Sequence, residues 1–110
     1  YDLLHSHWIL PQGFTGMLAT RLMHRPHVVT IHGGDIFGLR GQLLSSLKRA
    51  SLNRSEATTV NSSFTEQAVR DLTDQIPELR RIPMGVAVEP LDAEGRQKVA
   101  EIKAEYRRNN

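Results

Sequence analysis

The sequence predicts an α/β fold, a parallel sheet with flanking helices. Three observations carry this. Short apolar runs alternate with longer segments at helical spacing, the pattern left by strands joined through crossover helices. The run His27-Val28-Val29-Thr30-Ile31 lacks strict alternation, as expected of a central strand covered on both faces. It leads straight into His32-Gly33-Gly34-Asp35, a glycine-rich polar loop of the kind that forms ligand sites at strand ends of open α/β sheets.

Taken in order, the first strand is expected over residues 1–5, followed by a loop over 6–12 that Pro11 and Gly13 close. A helix over 13–24 carries Phe14, Met17, Leu18 and Leu22 on one face, and Pro26 stops it. The second strand covers 27–31 and the glycine loop 32–40. A helix over 41–54 then buries Leu43, Leu44, Leu47, Ala50 and Leu52, with Lys48, Arg49 and Arg54 on its flank. After a third strand at 57–60, Ser63-Phe64-Thr65-Glu66 matches a capping box, in which Ser63 and Glu66 satisfy each other's free N–H groups. The helix it opens runs to residue 73, with Phe64, Ala68 and Leu72 inward. A short strand at 79–82 meets Pro83-Met84-Gly85, which forces a turn. Asp92 caps a last helix over 93–108, whose inward stripe is Val99, Ile102 and Tyr106.

Composition narrows the function. The 110 residues fit one small domain, and 14 Lys+Arg against 12 Asp+Glu leave a net charge of +2, too small an excess to argue for a nucleic-acid partner. There is no cysteine, so disulfide and thiolate chemistry are excluded, in keeping with a reducing compartment. No apolar run approaches the ~20 residues of a membrane span, and no signal-peptide pattern opens the chain. The expectation is a soluble cytoplasmic protein, with the basic amphipathic segment 41–54 leaving peripheral membrane contact open. A start at Tyr1 and an abrupt Asn109-Asn110 end read as a piece of a larger polypeptide.

The chemistry concentrates at strand ends. Gly33 and Gly34 lack the Cβ atoms that would hold a ligand away, so their N–H groups can approach a phosphate or sugar oxygen, while His32 and Asp35 flank the opening with an imidazole and a carboxylate. In His5-Ser6-His7-Trp8, Trp8 offers a flat apolar face on which a sugar ring can pack, with imidazole N–H groups for its hydroxyls. The competing reading is that Trp8 covers the sheet end and His5 is a half-buried strand residue. His5, His7, His32 and Asp35 would also suit a metal-dependent hydrolase, although no further ligand at characteristic spacing supports that set. His24 and His27, around Pro26, are expected in solvent. His-Gly-Gly has the composition of a hydrolase oxyanion loop, but the G-x-S-x-G elbow that reading needs is absent, since Asn61-Ser62-Ser63 lacks both glycines. Asn61 stands between a capping role and a ligand contact.

In their order these pieces resemble the N-terminal domain of the family 4 retaining glycosyltransferases of GT-B architecture. Four blocks carry the resemblance. They are Asp2-Leu3-Leu4-His5-Ser6-His7-Trp8 with Leu10-Pro11-Gln12-Gly13, Val28-Val29-Thr30-Ile31-His32-Gly33-Gly34-Asp35-Ile36-Phe37, Thr59-Val60-Asn61-Ser62, and Arg81-Ile82-Pro83-Met84-Gly85-Val86. The resemblance implies that residues 1–90 are the second half of a Rossmann-like, acceptor-side lobe and 91–110 a connector toward a missing donor-binding lobe. It implies transfer, with retention, of a sugar from a nucleotide-diphosphate sugar to a sugar, lipid or small-molecule acceptor, with no resident cofactor or metal. His32 matches a histidine at the cleft that contacts the transferred sugar. Gly33, Gly34, Asp35, His7, Trp8 and Asn61 would be its companions in substrate binding. Ala87 stands where family members often carry an aspartate. A non-catalytic carbohydrate-binding or interaction module on the same scaffold is the reading from another class.

Overall fold

The structure, a computed structural model, describes residues 1–109. The elements run β1 (Leu4–His7), α1 (Phe14–Met23), β2 (His27–Ile31), α2 (Gly34–Phe37), α3 (Gln42–Asn53), β3 (Ala57–Val60), α4 (Ser63–Leu72), β4 (Leu79–Arg81) and α5 (Ala93–Asn109). The four strands form one sheet in the order β1-β2-β3-β4, and every pair is parallel. Parallel neighbours need long crossovers, which α1, the α2–α3 pair and α4 supply. The register sets Leu4 against His27, Val28 against Ala57 and Thr58 against Leu79.

The first strand lies further along the chain than expected, at 4–7 rather than 1–5, so Ser6 and His7 belong to the sheet and not to a loop. The apolar run Leu3-Leu4 does not decide this boundary. Backbone pairing does: the N–H of Leu4 reaches Pro26 O at 3.0 Å and that of Trp8 reaches Thr30 O at 2.9 Å. Period-two alternation then divides the sheet. Ser6, His27, Val29, Ile31, Thr58 and Val60 are buried on one face, where Ile9, Leu10, Ile36, Leu52 and Val69 complete the core. Phe14, Leu44, Leu47, Ala68 and Leu72 pack against that same cluster, so α1, α3 and α4 cover this face. Val28, Thr30, Ala57 and Thr59 on the other face are only half-buried. β2 is central as expected, but it is sealed on one side and not on both.

Several expected core positions lie outside. Leu18, Leu22, Leu43 and Phe64 are exposed, Phe64 at 72 %, because each helix turns a narrower stripe inward than its apolar residues suggest. In α5, Val99, Ile102 and Tyr106 are likewise exposed. The N-cap of α4 is Ser62, whose Oγ accepts from Thr65 N at 3.1 Å, not Ser63. Glu66 pairs with Arg70 at 2.9 Å instead of closing a capping box. Lys48, expected on a solvated flank, is 4 % exposed and donates to Ile36 O at 2.8 Å and Gly38 O at 2.6 Å, satisfying carbonyls at the end of α2. Burial pushes its ammonium below the ordinary lysine value, and nearby Asp35 partly offsets this.

His27 is also inside, at 1 % exposure, rather than in solvent. Its partners define its tautomer. Ser55 donates its hydroxyl proton to Ser51 O at 2.7 Å, so Ser55 Oγ accepts from His27 Nδ1–H at 2.8 Å, leaving His27 Nε2 to accept from Ser6 Oγ at 2.9 Å. Burial is the main cause of the ring's lowered pKa; Glu56 works against it and His5 adds to it. The unfolded chain therefore takes up this proton first, below the ordinary value of 6.5, and stability falls as pH drops from there toward the folded-state value. A melting series from pH 7.5 to 5 is expected to show this decline, and His27→Gln to reduce its slope.

Gly16 is where α1 meets the sheet. A Cβ there would lie 2.2 Å from Ser6 Oγ and 2.8 Å from His27 Nε2. Gly16→Ala adds ~1 kcal/mol of helix propensity but forces a backbone shift worth ~1–3 kcal/mol. The net expectation is a lower melting temperature, read by circular dichroism, even though alanine is the better helix former.

Candidate functional site

Because all four strands run the same way, their C-terminal ends gather His7 and Trp8 from β1, His32 and Gly33 after β2, and Asn61 after β3 along one edge. The same alternation that buries Val29 and Ile31 turns His5, His7, Thr30, His32 and Thr59 toward the half-open face. His5 Nε2 lies 2.7 Å from Thr30 Oγ1, which lies 2.6 Å from Thr59 Oγ1, a polar string across three strands. Desolvation lowers the His5 pKa, and neighbouring His7 adds to the effect. His7 Nδ1 and His32 Nε2 are 2.9 Å apart, with ring centroids at 5.2 Å. The Trp8 ring, 47 % exposed, stands 6.1 Å from His32.

Trp8, just past the end of β1, holds φ 75°, an uncommon backbone state for a bulky residue. The tight turn behind it is closed by Gly13 N donating to Trp8 O at 2.8 Å, and the Leu10–Pro11 peptide in it is cis. A cavity of about 540 Å³ opens beside His5, His7, Trp8 and Gln12. A second, of about 280 Å³, lies between His5, Thr30, Thr59, Asn61 and Met84. The turn after β4 thus contributes to this edge through Pro83, Met84 and Gly85, which the sequence places in a turn and a family block but not among the site residues.

Asp35 has a different place from the one expected. It is 2 % exposed, and both its oxygens face the chain: Oδ1 accepts from His32 N at 3.1 Å and Gly33 N at 3.0 Å, and Oδ2 accepts from Ile9 N at 2.7 Å. The carboxylate therefore clamps the glycine loop to the turn after β1. The N–H groups of His32 and Gly33 turn inward to it, so at these two positions the chain's own carboxylate fills the expected anion cradle. Gly33, at φ 105°, adopts a conformation that side chains resist, which is why glycine stands there. Gly34 is exposed and opens α2. Asn61 donates through Nδ2 to His32 O at 3.4 Å and accepts at Oδ1 from Thr65 Oγ1 at 3.1 Å, tying the loop to α4.

The metal reading does not find its geometry. His7 and His32 bond each other, the Asp35 oxygens are spent on N–H groups, and among the described residues no group of three or more His, Asp and Glu could hold an ion. Among them, too, no helix is long and apolar enough to cross a membrane.

Comparison with known proteins agrees with this architecture. The profile of Glycosyltransferase Family 4 matches residues 1–90. An uncharacterized glycosyltransferase of Methanocaldococcus jannaschii is 30 % identical over 76 residues, which cover 67 % of this chain and 22 % of that protein. The chain thus corresponds to about a fifth of the curated relative's length. No solved structure matches the chain significantly. With the family match running through the whole sheet and the turn after β4, the chain belongs to Glycosyltransferase Family 4.

Proposed function

We propose that the chain forms the acceptor-side wall of the cleft in a retaining, hexosyltransferase-like enzyme, which moves a sugar from a nucleotide-diphosphate donor to an acceptor hydroxyl. In this reading residues 1–90 are the second half of the N-terminal lobe of a GT-B enzyme, and 91–110 lead toward a donor-binding lobe. The chain alone would then lack the groups for the donor's diphosphate and turn over no sugar nucleotide. The observation that supports the reading best is the row of His7, Trp8 and His32 at the open end of a parallel sheet, with the His32 backbone held from both sides by Asp35 and Asn61.

The chemistry follows from what such a row can do. The transition state of glycosyl transfer is oxocarbenium-like, and negative charge grows on the leaving diphosphate, so rate depends on a fixed sugar and a well-aimed acceptor hydroxyl. The imidazole of His32 is a hydrogen-bond partner for a sugar hydroxyl. Trp8 supplies the apolar wall against which C–H groups pack. Gly33 and Gly34 keep side chains out of the approach, while Asp35 and Asn61 act on the loop. The acceptor is a sugar, a lipid or a small molecule, and the setting is cytoplasmic, with peripheral membrane contact compatible with the exposed Leu43 on α3.

The test is sugar transfer by the full-length polypeptide that carries this chain, with the product's anomeric configuration read by NMR. Retained configuration with loss of turnover in His32→Ala supports the reading. Inverted configuration, or undiminished turnover in that variant, overturns it.

A further inference from the structure

We propose that His7 is the positioning residue of His32, holding its ring through an imidazole–imidazole hydrogen bond that couples the tautomers of the two rings; this rests on the reading of His32 as the sugar-facing group of the cleft. The backbone of His32 is already anchored, its N–H on Asp35 and its carbonyl on Asn61. That leaves the ring, and among the described residues its hydrogen-bond partner is His7, through Nδ1 of His7 and Nε2 of His32 at 2.9 Å. With the ring centroids 5.2 Å apart and the two nitrogens at 2.9 Å, the nitrogens lie nearly on the line joining the rings, as an N–H···N bond between ring edges requires.

Such a bond holds one proton between two nitrogens, and this couples the outer edges of the pair. When His7 Nδ1 donates, neutral His32 carries its proton on Nδ1 and offers the cleft a donor, while the outer Nε2 of His7 is bare. When His32 Nε2 donates, its Nδ1 becomes an acceptor and His7 carries the outer proton. In a neutral pair the two outer nitrogens are always one donor and one acceptor, so the state of His7 sets whether His32 presents a donor or an acceptor to the cleft. The other groups near the pair leave this arrangement to it. His5 lies 4.6 Å from the His7 ring but bonds Thr30. The carboxylate of Asp35 is taken up by backbone N–H groups and not by either ring. Asn61 is neutral and bonds the His32 carbonyl. A partner that selects the tautomer of a working histidine acts on the reaction without touching substrate.

The experiment uses the full chain labelled with ¹⁵N in histidine. A scalar coupling across the hydrogen bond between His7 Nδ1 and His32 Nε2, with His32 ring shifts of a bridged tautomer, is expected in the wild type. His7→Leu should abolish the coupling and change the His32 ring shifts. His7→Asn sets an amide near the lost Nδ1 and should return the His32 ring shifts toward those of the wild type; far-UV circular dichroism confirms that both variants fold. In the full-length transferase, His7→Leu is expected to lower turnover about 10- to 100-fold, the scale of lost supporting groups around an active residue, and His7→Asn to recover most of it. Added to His32→Ala, His7→Leu should cost nothing more, since it acts through a ring already gone. Absence of the coupling in the wild type, unchanged His32 shifts in His7→Leu, or a further loss in the double variant would each overturn the proposal. Intact coupling beside undiminished turnover in His32→Ala would instead overturn the cleft reading and, with it, the effect on transfer.

Discussion

His32→Ala is expected to lower kcat of sugar transfer by ~10² or more, with a smaller effect on the acceptor KM. One preorganised hydrogen-bonding group at a reacting sugar contributes on that scale, and each factor of ten corresponds to about 1.36 kcal/mol of barrier. The substitution is clean because the loop does not depend on the ring. The His32 N–H still meets Asp35 and its carbonyl still meets Asn61, so the variant should melt near the wild-type temperature. A fall in kcat with unchanged melting marks a group that acts in the transition state. Equal losses in kcat and in melting temperature would reassign His32 to the architecture. The measurement is steady-state transfer in the full-length enzyme, with calorimetry on the same preparations.

Asp35→Ala has the largest expected effect on stability. The carboxylate accepts from three backbone N–H groups, on Ile9, His32 and Gly33, and it is buried. Removing it leaves those donors without a partner and Lys48 without a neighbouring negative charge. A buried donor left unsatisfied costs about 1–3 kcal/mol, so a total on the order of 3 kcal/mol or more is expected. For a domain of this size that means a melting temperature lower by roughly 10–20 °C. Asp35→Asn, which keeps one acceptor oxygen of similar shape, should lose about half as much. A melting temperature within 2–3 °C of wild type in Asp35→Ala would show that the clamp is dispensable. The two substitutions separate the roles of adjacent residues: His32→Ala removes chemistry and spares the fold, while Asp35→Ala removes the fold's hold on the loop.

Much of this was legible in the residues. The α/β class, the parallel sheet, the strands at β2 and β3, and the glycine-rich polar loop after β2 follow from apolar runs, helical spacing and a doubled glycine. These signals are local, since they depend on neighbours a few positions away. The shift of β1 to 4–7 was not legible, because Ser6 and His7 are polar and only pairing with β2 makes them strand residues. His27 and Lys48 read as surface groups because a titratable side chain is normally exposed. Their burial depends on hydroxyls and carbonyls contributed by distant segments. Phe64 reads as core from its period, yet it stacks on Phe37 at the surface, with ring centroids 4.8 Å apart.

The sequence by itself determined the fold class, the absence of thiol chemistry, and which strand end carries an imidazole beside a backbone free to turn. Only the tertiary structure decided what each polar group near that end does. Asp35 became a clamp, Asn61 a tie and His7 a partner of His32, because hydrogen bonds between residues some 25 positions apart exist only once the strands lie side by side. The physical reason is that composition and period specify which face a residue shows, whereas the partner of a buried donor or acceptor is fixed by register and packing.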